Sequence, residues 1–125
     1  MEFLIVGFGG CLGAIARYVI YLAEKSLLQH KFPLATLIIN CVGCLLAGAV
    51  LAMGERFAPT ERHLLLFCTM GFISSFTTFS TFSVETLALI SSNQMGSALA
   101  NVILNVVLGV LSIWGGQQII SNLKY

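Results

Sequence analysis

The run from Leu64 to Val84 carries no charge, yet seven of the fifteen residues from Gly71 to Glu85 are Ser or Thr and four are Phe. An uncharged run of this length is a membrane span, but lipid-facing helices are not written with this density of hydroxyls. In a bilayer core every polar group needs a protein or water partner, so such a segment is expected inside protein or along a water-filled path. Hydroxyls interleaved with aromatic rings offer hydrogen-bond donors beside partly positive ring edges. That chemistry suits a small anion.

Three further apolar runs accompany it, and they place the whole chain in a membrane. Only 9% of the residues are charged and 58% are hydrophobic, far from a soluble profile. We expect one all-α domain, 1–125, with spans of about 3–22, 32–54, 64–90 and 97–116. Pro33 stands where the second helix starts, its fixed φ and missing N–H costing nothing there. The third run, Leu64 to Ile90, would extend about 40 Å as a straight helix, against a hydrocarbon core of about 30 Å. It is therefore either strongly tilted or broken, and the Ser/Thr cluster at 74–78 is the natural place for a break.

The connections expected are Glu24 to Lys31, Glu55 to His63 around Pro59, and the uncharged turn Ser91-Ser92-Asn93-Gln94. Gly115-Gly116 is expected to end the fourth span. Gly9 and Gly13, four apart, would let two helix backbones approach closely. Acidic Glu2 occupies the position where a secretory signal would carry Lys or Arg, so the first span is expected to be retained.

Several function classes lose support at this level. A formal net charge of +1 gives no electrostatic footprint for nucleic acid. Cys11, Cys41, Cys44 and Cys68 all lie in apolar runs, and Cys41-Val42-Gly43-Cys44 has neither a βα context nor a second ligand pair; packing is the expected role. His63 has no partner at metal-ligand spacing, and no His within the spans could activate a hydroxyl, so an enzyme is not expected. Thr36 and Asn40 share one helix face, as do Asn101 and Asn105; intramembrane Asn either bridges helices or serves a permeation path. Arg17 either snorkels to the interface or projects into an aqueous vestibule.

Counting charge by side, Lys25 and Lys31 oppose Arg56, Arg62 and Lys124. Such near balance leaves little for the positive-inside rule to act on, so the chain is expected to insert in both orientations and to pair as an antiparallel homodimer.

Over essentially its whole length the chain resembles the Fluc, or CrcB, fluoride channels. The motifs are Gly9-Gly10-x-x-Gly13-Ala14-x-x-Arg17-Tyr18, Thr36-Leu37-x-x-Asn40-x-x-Gly43, and Thr77-Thr78-Phe79-Ser80-Thr81-Phe82-Ser83. The resemblance implies a dual-topology antiparallel homodimer of four-helix subunits in the bacterial inner membrane. Its third helix would be broken mid-membrane, and fluoride would leave the cytoplasm passively. Carried over by motif, the fluoride pore would include Phe79, Phe82, Asn40, Ser80, Thr81, Ser83 and Thr36, with Asn101 and Arg17 beside them. A structural Na⁺ at the dimer centre would be held by the main-chain carbonyls of Ser74 and Thr77. The chain departs from the family pattern at Ser74-Ser75, where Gly-Gly is frequent, and at Asn101, where Tyr is common. The alternative expectation is a small dual-topology multidrug or cation exporter, for which Glu85 would be the only candidate coupling carboxylate.

Overall fold

A computed structural model of the chain describes residues 1–27, 32–57 and 62–123. It is helical throughout, with α1 (Glu2–Leu27), α2 (Leu34–Phe57), α3 (62–76), α4 (Phe79–Ser91) and α5 (Met95–Asn122). Four stretches are long and apolar enough to cross a membrane: Glu2–Ser26, Leu34–Gly54, Arg62–Ser91 and Met95–Asn122. The outside of the bundle is apolar as well, with Phe3, Phe8, Val110 and Trp114 all exposed. An exterior of this kind is stable only against lipid or another protein, and the chain is a multi-pass membrane protein.

The helices associate as two tightly packed pairs, α1 with α3 and α2 with α5. In both the register rises together along the two chains, so the partners run parallel. In the first pair Gly9 meets the Phe67 carbonyl and Gly13 the Phe72 carbonyl, where a Cβ on either glycine would strike backbone. In the second, Asn40 meets Asn105, Cys44 lies against Gly109, and Gly48 lies under the Ile113 carbonyl. Small residues permit this approach, and in lipid such close packing replaces the hydrophobic drive available in water. The Arg62–Glu2 ion pair at 3.0 Å ties the N-terminal ends of α3 and α1, but both side chains are exposed, so it contributes about 0–1 kcal/mol.

Within α3 the residues Phe67–Ile73 form a wider, i→i+5 turn. Both the N–H and the hydroxyl of Ser74 reach the carbonyl of Thr69, five residues back. This wide turn faces Gly9, whose own Cβ position lies 3.1 Å from the Gly71 Cα. Phe72 and Phe76 then stack at 5.7 Å, and Phe76 joins Ala35 and Ile39 in a small core backed by Ile20 and Tyr21.

Several element ends differ from expectation. Glu24 to Leu27 is helix rather than connection, and the Glu24 carboxylate accepts a 2.9 Å hydrogen bond from the Ala35 N–H at the start of α2. A carboxylate there satisfies an orphan donor and complements the helix dipole, which gives α1 a reason to continue past its apolar run. Glu55 to Phe57 continues α2, and His63 lies in the first turn of α3. Gly115-Gly116 does not stop α5, because Gly116 packs beneath the Leu45 carbonyl and the helix goes on to Asn122. Ser74 and Ser75 are helical; only Thr77 (φ −74°, ψ 159°) and Thr78 (φ −151°, ψ 116°) are extended between α3 and α4. The turn after α4 lies where expected: Asn93 takes φ 57°, Asn93 N–H bonds the Ile90 carbonyl and Gln94 N–H that of Leu89. Asn substitutes for Gly in this left-handed helix cap. Lys31, Pro59 and Lys124 lie outside the described residues.

Candidate functional site

The extended pair Thr77-Thr78 frees backbone groups that a continuous helix would pair, and those groups define the site. Thr78 N–H would normally bond the Ser74 carbonyl, but donates instead to Asn40 Oδ1 at 3.0 Å. Thr81 N–H would bond the Thr77 carbonyl, but donates to Thr78 Oγ1 at 3.2 Å, which makes Thr78 the N-cap of α4. The carbonyls of Ser74 and Thr77 thereby both lose their helical donors. Asn40 also donates through Nδ2 to the Thr78 carbonyl, so its amide clamps the extended residue on two sides. Gly43, one turn further along α2, has no room for a side chain because Thr77 Cγ2 occupies that space.

Beside the clamp lies a cavity of about 360 Å³ bounded by α2, the Thr77-Thr78 link, α4 and α5. Its wall includes Asn40, Cys44, Thr78, Phe79, Phe82 and Asn105 and, among the described residues, no charged one. The Phe79 and Phe82 rings stand 5.6 Å apart, inclined at 46°. Phe82 is partly covered, whereas Phe79 is 79% exposed in the single chain. The Asn40 amide, whose hydrogens go to the Thr78 carbonyl and to Asn105 Oδ1, and the two aromatic rings thus border one space.

The structure brings together only part of the expected site. Asn40, Phe79 and Phe82 border the cavity, and Thr81 reaches it through a 2.9 Å bond from the Thr78 hydroxyl. Ser80 and Ser83 are exposed on α4. Thr36 is fully buried elsewhere, its hydroxyl 3.0 Å from Tyr21 Oη. Arg17 lies on α1, away from the cavity wall. Asn101 is fully buried, behind rather than on that wall; Asn105 stands there instead. The Asn101/Asn105 spacing pointed to their shared face, but spacing alone does not say which of two face-mates reaches the cavity.

Many of the hydroxyls that drew attention to this stretch are satisfied locally. Thr69, Thr77, Ser83 and Thr86 each donate to the carbonyl four residues back, at 2.7 to 3.0 Å. A hydroxyl bonded this way has spent its only hydrogen, so it donates to a passing ion only by breaking that bond.

A second cavity, of about 400 Å³, lies at the α1–α2 connection and is lined by Glu24, Glu85, Ser92 and Gln94. Among the described residues, one oxygen of Glu85, Oε2, is buried without a hydrogen-bond partner.

Residues 4–117 match the family described as "CrcB-like protein, Camphor Resistance (CrcB)". The chain belongs to the CrcB-like family. Relatives of it include a "Fluoride-specific ion channel FluC" of Dehalococcoides mccartyi, 40% identical over 98% of this chain and 95% of the relative. Another of the same name, from Idiomarina loihiensis, is 36% identical over 98% and 94% of the two chains. "Fluoride-specific ion channel FluC 2" of Symbiobacterium thermophilum is 41% identical over 91% and 93%. CrcB-like membership spans all four apolar stretches and both walls of the Asn40 cavity.

Proposed function

We propose that this CrcB-like protein is a fluoride-specific ion channel that lets fluoride leave the cytoplasm passively. The observation that carries the reading is the cavity whose described lining is uncharged and includes Asn40, Phe79 and Phe82 together. Fluoride is compact and a strong hydrogen-bond acceptor, so amide and ring-edge donors recover much of the hydration it sheds. Chloride, larger and a weaker acceptor, recovers less. A Lys or Arg on the path would hold the anion rather than pass it, because Coulomb attraction grows steeply in a low dielectric. No bond is made or broken, and no reaction is catalysed. The exporter alternative is set aside, since the relatives above carry channel names.

The same reading extends to assembly. The chain works as an antiparallel homodimer in a bacterial inner membrane, with the Thr77-Thr78 interruption at mid-membrane. Phe79, Ser80 and Ser83 are exposed in the single chain, and a second copy would complete the wall on that side. The Ser74 and Thr77 carbonyls, relieved of their helical donors, are hard oxygen ligands suited to a structural Na⁺, which would supply positive charge between the two interruptions. Near-equal Lys and Arg counts on the two sides support insertion both ways.

The test is release of fluoride from liposomes holding the purified protein, followed with a fluoride electrode and with chloride as the control. Fluoride release without chloride release is expected. Equal release of both, or of neither, overturns the channel reading. Topology reporters fused at the C-terminus should be active in both compartments; activity in one alone removes the antiparallel arrangement.

A further inference from the structure

A primary amide is a two-faced group, with an oxygen that repels anions and an NH₂ that attracts them. Which face Asn40 turns to the cavity therefore decides whether the site admits an anion at all. Asn40 does not decide this alone. Its Nδ2 donates to Asn105 Oδ1 at 2.9 Å. Asn105 in turn donates through Nδ2 to Asn101 Oδ1 at 2.9 Å and to the Asn101 carbonyl at 3.0 Å. Asn101 donates to Thr86 Oγ1 at 2.9 Å, and Thr86 donates to the Phe82 carbonyl at 2.7 Å.

Together with the Thr78 N–H bond to Asn40 Oδ1, these form a relay in which every donor points the same way. It starts at Thr78 and ends at Phe82, the two residues that bracket Phe79. Flipping any one amide would set donor against donor and acceptor against acceptor at both of its neighbours. Aligned hydrogen bonds also polarise one another, so the relay resists flipping as a unit. Asn101 anchors it, being fully buried, with no water to replace a lost partner.

We propose that Asn105, Asn101 and Thr86 are positioning residues for anion selectivity: they hold the Asn40 amide with its NH₂ turned to Asn105 on the cavity wall and its oxygen on the Thr78 N–H. The inference rests on the fluoride-channel reading. Thr86 and Asn101 do not border the cavity, so they act through Asn105 and Asn40 alone. Both hydrogens of Asn40 are already engaged, the one to the Thr78 carbonyl at 3.3 Å the more loosely. An entering anion replaces that longer contact while the relay keeps the amide from turning over.

The deciding variant is Thr86→Val, which keeps the shape of the side chain and deletes the hydroxyl at the end of the relay. Thr86→Ser restores it. Fluoride and chloride release from liposomes are measured for both, and for Asn105→Leu, each checked for assembly by size-exclusion chromatography. A lost hydrogen bond is worth about 1–1.5 kcal/mol, so the fluoride-to-chloride ratio should fall roughly tenfold in Thr86→Val and in Asn105→Leu. It should return to within about twofold of the original in Thr86→Ser, as expected when one hydroxyl replaces another. A structural role alone would alter assembly or lower both fluxes together without moving the ratio. An unchanged ratio in assembled Thr86→Val overturns the proposal. So does failure of both Thr86→Val and Asn105→Leu to assemble, which would make the relay a folding element. An unsubstituted protein that releases no fluoride would instead defeat the channel reading itself.

Discussion

Asn40 grips the backbone of Thr78 from both sides, accepting from its N–H at 3.0 Å and donating to its carbonyl at 3.3 Å. One side chain thus replaces, at an interrupted helix, the bonds that the ladder would have made. Where no water reaches these groups, the amide is what satisfies them.

Replacing Asn40 with Leu keeps the branching of the side chain and removes both bonds, leaving the Thr78 N–H without its acceptor. The expected cost is about 1–3 kcal/mol of stability for an unsatisfied buried group, together with loss of fluoride release. Thermal unfolding in detergent reads the first and liposome release the second. Normal release by an assembled Asn40→Leu protein would remove the clamp from the pathway.

The α2–α5 seam makes a prediction that is independent of transport. A Cβ at Gly48 would overlap the Ile113 carbonyl, and one at Gly116 the Leu45 carbonyl, whereas Gly96 has open space around it. Gly48→Ala and Gly116→Ala should each destabilise the bundle by about 1–3 kcal/mol, the range for overpacking. Gly96→Ala should cause no loss, since Ala is the better helix residue. Melting temperatures of the three variants decide the matter, and equal values would contradict this packing.

These glycines also show where sequence reasoning succeeds and where it stops. The four apolar runs announced the helices because a bilayer tolerates little else. The polar ends of α1 and α5 were not legible, because a cap on Ala35 and the Gly116–Leu45 contact, both made by other helices, extend them. Within the hydroxyl cluster, Ser74 bonds Thr69 and is helical, and only Thr77 and Thr78 take extended dihedrals. Thr36 and Asn40 share a face, yet one meets Tyr21 and the other the cavity, since the helix crosses two different neighbours along its length. The wide turn at Phe67–Ile73 had no sequence signal at all.

Cys44 was expected only to pack, and it does lie against Gly109, but it also borders the Asn40 cavity. A neutral alkyl methanethiosulfonate transfers its alkylthio group to the Cys44 sulfur, releasing sulfinate and the thiol proton. The added group occupies the cavity, so most fluoride release should be lost. Cys44→Ser should resist the reagent, while Cys11→Ser and Cys68→Ser should remain sensitive. Equal inhibition of Cys44→Ser would mean that the reagent acts elsewhere.

Phe79 and Phe82 allow the sharpest separation of pathway from packing. Their rings are 5.6 Å apart, and both border the cavity, yet Phe79 is largely uncovered in the single chain. A residue so exposed contributes little to the packing of its own subunit, which makes its substitution a clean probe. An aromatic edge attracts an anion without holding it as tightly as a full charge would. Ile keeps most of the apolar volume and has no such edge. If the rings serve only as filler, Phe79→Ile and Phe82→Ile should cost less than about 1.5 kcal/mol and leave transport intact, as volume-conserving exchanges do. If they line the fluoride path, release should collapse in each variant while size-exclusion chromatography still shows the assembled protein. Because Phe79 has little packing to lose within its own chain, collapse in a Phe79→Ile protein that still assembles is the more telling of the two. Normal fluoride release by both assembled variants would take the rings out of the path.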